Sequence, residues 1–413
     1  MTAGNEMTAK PKRLILFTSL PKVGGHTTIT LGLCRLLRPH FRELQVWCKT
    51  MPEHGFSAPA WEELKAMGCH MELLSDEHGR LYKGKLLMLL VRALRQPTAT
   101  FFTIAMGHLS FVMALLLARQ QSLYYHITHD LNAGTIRRLS TLCRVFKKLV
   151  FISPATYRDF SQTTGRRDKL SWTAQVSELP PIDAELLMAG RTAKLVGNPA
   201  IRFGLIGRLT ENKGAGEILQ FIDRTAANCE FHVAGSGPFG NEFRRRHRER
   251  RVGCNVRVYF YGAYEPTERV EFLRTFFSNV DWLVVPTLDE WETLSMALLE
   301  GLQHGVPCLA TRTGGLTSFE MPELGPAPPN VVRLVEPSEM GTVLHELALS
   351  ARPVTTQLAT ACLDYYAAFF SNRAVGKRWL ELAGCGSDDG DLTTFSDSGC
   401  RGERPLGSSI PGN

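Results

Sequence analysis

Residues 289–315 read DEWETLSMALLEGLQHGVPCLATRTGG, with two carboxylates, Glu292 and Glu300, eight positions apart. The first follows an apolar, strand-like run, Trp282-Leu283-Val284-Val285-Pro286, and the second lies in a run of helical character, residues 296–303. Eight residues is a little over two turns at 3.6 per turn. A helix beginning near Leu294 therefore puts Glu292 at its mouth and Glu300 about two turns further in. A strand, a turn bearing an acid and a helix are the parts of an α/β ligand crevice. The helix N-terminus would offer free N–H groups and a positive dipole end to an anion. On spacing alone, a surface helix with two solvated glutamates is the simpler reading. What outweighs it lies elsewhere in the chain.

At 413 residues the chain exceeds one typical core, so two domains are expected. Hydrophobic residues make up 44% and charged residues 21%, the usual balance of a soluble globular protein. Lys and Arg number 47 against 40 Asp and Glu, a net +7 that suits an anionic substrate or membrane surface and does not require nucleic acid. The 10 cysteines include no Cys-x-x-Cys pair, so neither a zinc site nor a disulfide framework is indicated, and a reducing cytoplasm fits. The polar opening MTAGNEMTAKPK carries no secretory signal. The apolar run 101–118 is broken by Gly107, His108 and Ser110, too short to span a bilayer, and reads as a buried strand end followed by a buried helix.

Along the chain, residues 13–19 (RLILFTS) predict a strand, followed by a turn with Gly24 and Gly25 and a helix over 29–37. Glycines there let backbone approach a ligand closely, though a plain strand-to-helix turn needs them too. Residues 79–86 (GRLYKGKL) nearly match a phosphate loop, but Leu86 stands where the metal-binding hydroxyl belongs, and the match is read as a decoy. The apolar segment 86–94, ringed by Lys83, Lys85, Arg92 and Arg95, predicts a buried helix with basic ends; contact with the inner face of an anionic membrane is the alternative. The strand 122–129 (SLYYHITH) ends in His126 and His129, each a candidate for substrate contact or for a structural role. The basic helix 243–251 (FRRRHRERR) lacks interleaved aromatics, so a solvated face is preferred to a nucleic-acid surface. The Gly/Ser/Asp-rich segment 384–413 is expected to be disordered.

A second strand–helix series begins after Asn198-Pro199, and its motifs fall at strand-to-helix junctions. They are Gly207-Arg208-Leu209-x-x-x-Lys213-Gly214, Gly235-x-Gly237-Pro238, the Glu292/Glu300 pair, Gly305-Val306-Pro307 and Gly314-Gly315. All should line one edge of a parallel sheet, where two cations, glycine turns and a helix N-terminus suit a diphosphate. In this order the motifs resemble a retaining GT-B glycosyltransferase of family 4, strongly over 202–320 and more weakly over the first half.

The resemblance implies an α/β fold, GT-B, with two Rossmann-like doubly wound domains facing across a cleft. The expected layout is an acceptor domain at 1–196, a nucleotide-sugar donor domain at 197–371, a helix at 372–383 crossing back, and the tail. By the same resemblance, Arg208 and Lys213 would hold the donor diphosphate and Glu300 the ribose. Glu292 would lie against the sugar, with the amides of Leu294, Ser295, Met296 and Ala297 meeting sugar and phosphate. Gly207, Gly235 and Gly262 would line the nucleotide, Gly24 and Gly25 would approach the phosphates, and His129 would face the sugar from the acceptor side, with His126 and His108 competing for that role. Implied partners are a nucleotide-sugar donor and a glycan, lipid-linked or small-molecule acceptor, with no nucleic acid. No cofactor and no metal are implied, and no Asp-x-Asp pair accompanies these motifs. Expected placement is cytoplasmic or peripheral on the membrane. A non-catalytic GT-B binding protein is the alternative, and the intact charged set favours the enzyme.

Overall fold

The structure, a computed structural model, describes residues 13–21, 25–50, 55–78, 80–95, 99–104, 121–177, 182, 200–249, 255–264, 268–325, 327–328, 330–350 and 354–385. Gly24, His108 and the segments 105–120 and 386–413 lie outside the described residues.

Short apolar runs rich in β-branched and aromatic residues form two parallel sheets. The first contains β1 (Arg13–Thr18), β2 (Leu44–Cys48), β3 (His70–Leu73), β4 (Ala99–Ile104), β5 (Gln121–His126), β6 (Lys148–Phe151) and β7 (Leu170–Trp172) in the order β3-β2-β1-β4-β5-β6-β7. The second contains β8 (Ile201–Ile206), β9 (Cys229–Ala234), β10 (Val256–Gly262), β11 (Trp282–Val285), β12 (Cys308–Thr311) and β13 (Val332–Val335) in the order β10-β9-β8-β11-β12-β13. The strand order reverses between β1 and β4 in one sheet and between β8 and β11 in the other, and such switch points are where open α/β sheets place ligands. Arg202 pins the second switch point, donating from its backbone N and its guanidinium to Asp281 at 2.8–3.0 Å.

The connecting helices are α1 (Gly25–Leu37), α2 (Ala58–Ala66), α3 (Lys83–Leu94), α4 (Ala133–Val145) and α5 (Pro154–Thr164) in the first half. They continue with α6 (Ala215–Arg224), α7 (Gly240–Arg248), α8 (Arg269–Phe277), α9 (Met296–Gln303), α10 (Met340–Ser350), α11 (Thr356–Phe369) and α12 (Asn372–Ala383). The chain is α/β with two doubly wound parallel sheets, the GT-B arrangement.

Helix α12 buries Val375, Gly376, Trp379, Leu380 and Ala383, one face at helical spacing. Its Trp379 ring lies 4.8 Å from Tyr125 and 5.1 Å from Phe102, and its indole N–H donates to the Ala174 carbonyl at 3.3 Å. The last helix among the described residues therefore packs on strands of the first sheet.

Four expectations need correction. The helix expected from Leu294 begins at Met296, because Ser295 takes φ +48°, which an α-helix cannot propagate; Glu300 is then about one turn inside it, not two. The strand expected to run to His129 stops at His126, which is 2% exposed and packs edge-on to Phe151. Residues 384 and 385, expected in the tail, belong to the end of α12: Gly384 caps it with φ +78°, and the buried Cys385 donates its N–H to the Leu380 carbonyl. Helix α3 buries only one side: Leu89, Leu90 and Ala93 face the core, while Leu87, Met88 and Val91 are exposed. Lys85, which completed the phosphate-loop pattern, is instead paired with Glu72 at 2.8 Å.

Candidate active site

The loops after β8, β9 and β10 are laced together by main-chain bonds. Gly207 N–H donates to Ala234 O at 3.1 Å, Leu209 N–H to Ser236 O at 2.8 Å, and Gly235 N–H to Gly262 O at 2.7 Å. A Cβ on Gly235 would stand 1.8 Å from the Gly207 carbonyl oxygen, and its φ is +132°, so only glycine lets these two turns meet. The three glycines expected along the nucleotide thus form one contiguous rim.

The loop that carries Arg208 and Lys213 is clamped onto the end of β11. Leu288 N–H and the Thr287 hydroxyl both donate to Asn212 O, at 2.9 and 3.1 Å. Gly214 (φ +70°) lies so close that a Cβ there would be 2.0 Å from Pro286 O. This contact brings Lys213 to the 289–292 turn. Its ammonium donates to Glu292 Oε2 at 2.6 Å and to Asp289 Oδ2 at 3.1 Å, in a half-buried triad. Arg208 is exposed, and among the described residues its guanidinium has no partner. One cation is therefore fixed and one is free to reach an anion.

The 289–295 turn is itself tightly held. Asp289 accepts the Trp291 N–H on its carboxylate at 3.1 Å and the Glu292 N–H on its carbonyl at 2.9 Å. Gly315 N–H returns to Glu292 O at 2.8 Å. Leu294 is fully buried, main chain included, so the amide expected there to meet sugar and phosphate is not open to a ligand in this structure. Ser295, buried and at φ +48°, stores on the order of 1–3 kcal/mol of backbone strain immediately before Met296 and Ala297 open α9. That strain turns the chain sharply into the helix and leaves the first-turn N–H groups outside the helical ladder.

Glu300 is 5% exposed and ion-paired with Arg269 of α8. A buried carboxylate without such a partner would be strongly disfavoured. The structure does not bring Glu300 into contact with the Lys213 triad; it holds it separately, one turn down α9.

From the first half, Gly25 is exposed at the start of α1 with nothing within 4 Å of a Cβ built on it. His129 meets the second half directly: its main-chain N–H donates to Trp291 O at 3.3 Å. Its ring is engaged on α5, with Nδ1 2.8 Å from Thr156 Oγ1 and Nε2 3.5 Å from Asp159 Oδ2, and burial holds its pKa below the usual value. His126, buried under the strand end, has its pKa lowered to about 4 by burial.

Sequence reasoning missed three residues here. Asp289 begins the quoted stretch but carried no motif signal. Arg269 lies on a helix whose other charges are ordinary. Trp291, 62% exposed beside Glu292, could have been suspected from a large apolar residue inside a run of acids. Among the described residues, no group of three or more His, Cys, Asp or Glu is arranged to hold a metal.

With this geometry in place, the comparisons are consistent with the motif order. Residues 200–326 match the family model described as Glycosyl transferases group 1. No curated protein matches the chain. Among solved structures, Anabaena Alr3699/HepE in complex with UDP is similar over 90% of this chain and 99% of its own, at TM-score 0.65 and 16% identity. A glycosyltransferase from Rickettsia africae covers 90% and 97% at TM-score 0.64 and 12% identity. The lipopolysaccharide outer core galactosyltransferase WaaB, in its apo form, covers 90% and 98% at TM-score 0.63 and 14% identity. At these identities the likeness establishes the GT-B fold, with a glycosyl transferases group 1 match confined to the second half.

Proposed function

We propose that this chain is a retaining glycosyltransferase that moves a sugar from a nucleoside-diphosphate sugar to a glycan, lipid-linked or small-molecule acceptor without a metal. The observation that carries the reading is Lys213, clamped between Asp289 and Glu292 at the switch point of the second sheet, with Arg208 free beside it on the same loop. When the C1–O bond of the donor breaks, negative charge grows on the leaving phosphate. Lys213, already held in place, and the first turn of α9 stabilise that charge, and Arg208 swings in to join them. Glu300, oriented by Arg269, accepts the ribose hydroxyls. Glu292 holds Lys213 with one oxygen and keeps the other for the sugar. The acceptor oxygen attacks C1 from the face the diphosphate leaves, and its proton passes to the departing phosphate oxygen. His129 fixes the facing loop through Trp291 O, so that the first half closes over the sugar.

Alr3699/HepE was solved with UDP and with UDP-glucose, which makes uridine diphosphate the first nucleotide to try. A thermal-shift panel of UDP-, GDP- and ADP-sugars tests the reading. One series should raise the melting temperature in proportion to the logarithm of its concentration, and transfer with that donor should survive EDTA. No shift with any series contradicts the proposal; a strict metal requirement contradicts its mechanism.

A further inference from the structure

Helix α3 has two apolar faces. Leu89, Leu90 and Ala93 are buried against the first sheet. The opposite side presents Leu87 at 62% exposure, Met88 at 44% and Val91 at 40%, and Tyr82 precedes the helix at 45%. Gly84, Leu87, Met88 and Val91 share one face by their i, i+3, i+4, i+7 spacing. A Cβ built on Gly84 would meet nothing within 4 Å, so the face is open along its length. Four of the exposed large hydrophobic side chains of the described residues thus fall within ten positions. Scattered single exposures are ordinary, but a contiguous stripe marks an interaction surface.

The charges around the stripe indicate what it meets. Between Tyr82 and Arg95 there are four basic residues and no acidic one. Lys85 is taken by Glu72, but Lys83, Arg92 and Arg95 are exposed, and among the described residues none of the three has a carboxylate partner. At 3.6 residues per turn, Lys83 and Arg92 fall on the two flanks of the Leu87–Val91 stripe, and Arg95 lies at its end. An apolar stripe bordered on both sides by long cationic side chains matches a lipid–water interface, where the stems lie along the acyl boundary and the charges reach anionic headgroups. Among the described residues no helix is long and apolar enough to cross a membrane, so this contact lies in the plane of the surface. From these observations we propose that the outer face of α3 docks the protein on an anionic lipid bilayer. The surface is separate from the Lys213 site, and the proposal stands whether or not the chain transfers sugar.

The test is sedimentation of the full chain with vesicles of phosphatidylcholine alone and of phosphatidylcholine mixed with phosphatidylglycerol. Binding to the mixed vesicles should exceed binding to the neutral ones by about tenfold at low salt and weaken as salt is added. Leu87→Gln/Met88→Gln/Val91→Gln should reduce that binding by about tenfold, since apolar insertion is lost. Lys83→Gln/Arg92→Gln/Arg95→Gln should reduce it and remove the salt dependence. Should the apolar triple variant fold poorly, Leu87→Gln alone, at the most exposed position, should still weaken binding severalfold. No binding, equal binding to both vesicles, or unchanged binding by the apolar variants would overturn the proposal. So would self-association of the wild type that the apolar variants abolish, because the face would then join two copies of the chain.

Discussion

The ammonium of Lys213 lies 2.6 Å from the carboxylate of Glu292, a residue 79 positions away in the chain. Two loops that meet only because β8 and β11 are neighbours make this contact, and Asp289 completes it at 3.1 Å. Asp289→Asn removes one of the two anchors of the lysine and leaves its carbonyl bond intact. We expect stability to fall by about 1 kcal/mol, as for a partly exposed ion pair, and the donor KM to rise severalfold. Urea denaturation and initial-rate kinetics measure the two effects. An unchanged KM would mean that Asp289 does not position Lys213.

The pair of Arg269 and Glu300 is a different case, because it is buried. Arg269→Gln leaves a carboxylate inside the protein without its cation, and a loss of about 3 kcal/mol is expected. Adding Glu300→Gln should restore part of that loss, because the uncompensated charge disappears. Stability of the two single variants and the double variant gives the coupling directly. Additive losses would show that the two side chains do not depend on each other.

Gly214 supplies a test of the loop clamp. A methyl group there would meet Pro286 O at 2.0 Å, and φ is +70°. Gly214→Ala should cost more than about 2 kcal/mol and lower activity, by forcing the Lys213 loop away from β11. Gly341→Ala, where nothing lies within 4 Å and the backbone is helical, should be neutral or slightly stabilising. Thermal melts of both variants check the contrast, and equal effects would contradict the clamp.

His126 makes stability depend on pH. Its pKa in the fold is lowered from 6.5 to about 4, with burial the main cause and Arg138 a lesser one. Between these values the unfolded chain takes up a proton that the folded protein refuses, so stability falls as pH drops from 6.5 towards 4. The full effect is on the order of 3 kcal/mol. His126→Gln should flatten the decline of melting temperature over this range. An unchanged slope would show that other groups govern it.

Much of this architecture was legible in the sequence, for physical reasons. Strand β1, read from the sequence as 13–19, ends one residue earlier at Thr18; it is legible because an apolar run followed by a glycine turn has one reading in a buried parallel sheet. Strand β7 was missed, since three residues are too few to show a pattern. Spacing alone leaves Glu300 a solvated surface charge, and only the motif order outweighs that; the strained Ser295 that shortens the helix in front of it leaves no trace in residue type. Arg269 was invisible because it lies 31 positions from its partner, on a helix rich in other charges. The outer face of α3 reads as buried in the sequence because residue type alone does not show which of two apolar faces has a neighbour.

The most direct measurement is calorimetric titration of UDP, GDP and ADP into the wild type, Lys213→Ala and Glu300→Ala. The account predicts one site per chain for one of the three, weakened at least tenfold in each variant, about 1.4 kcal/mol or more. Wild-type affinity in both variants would contradict it, as would failure of all three nucleotides to bind the wild type.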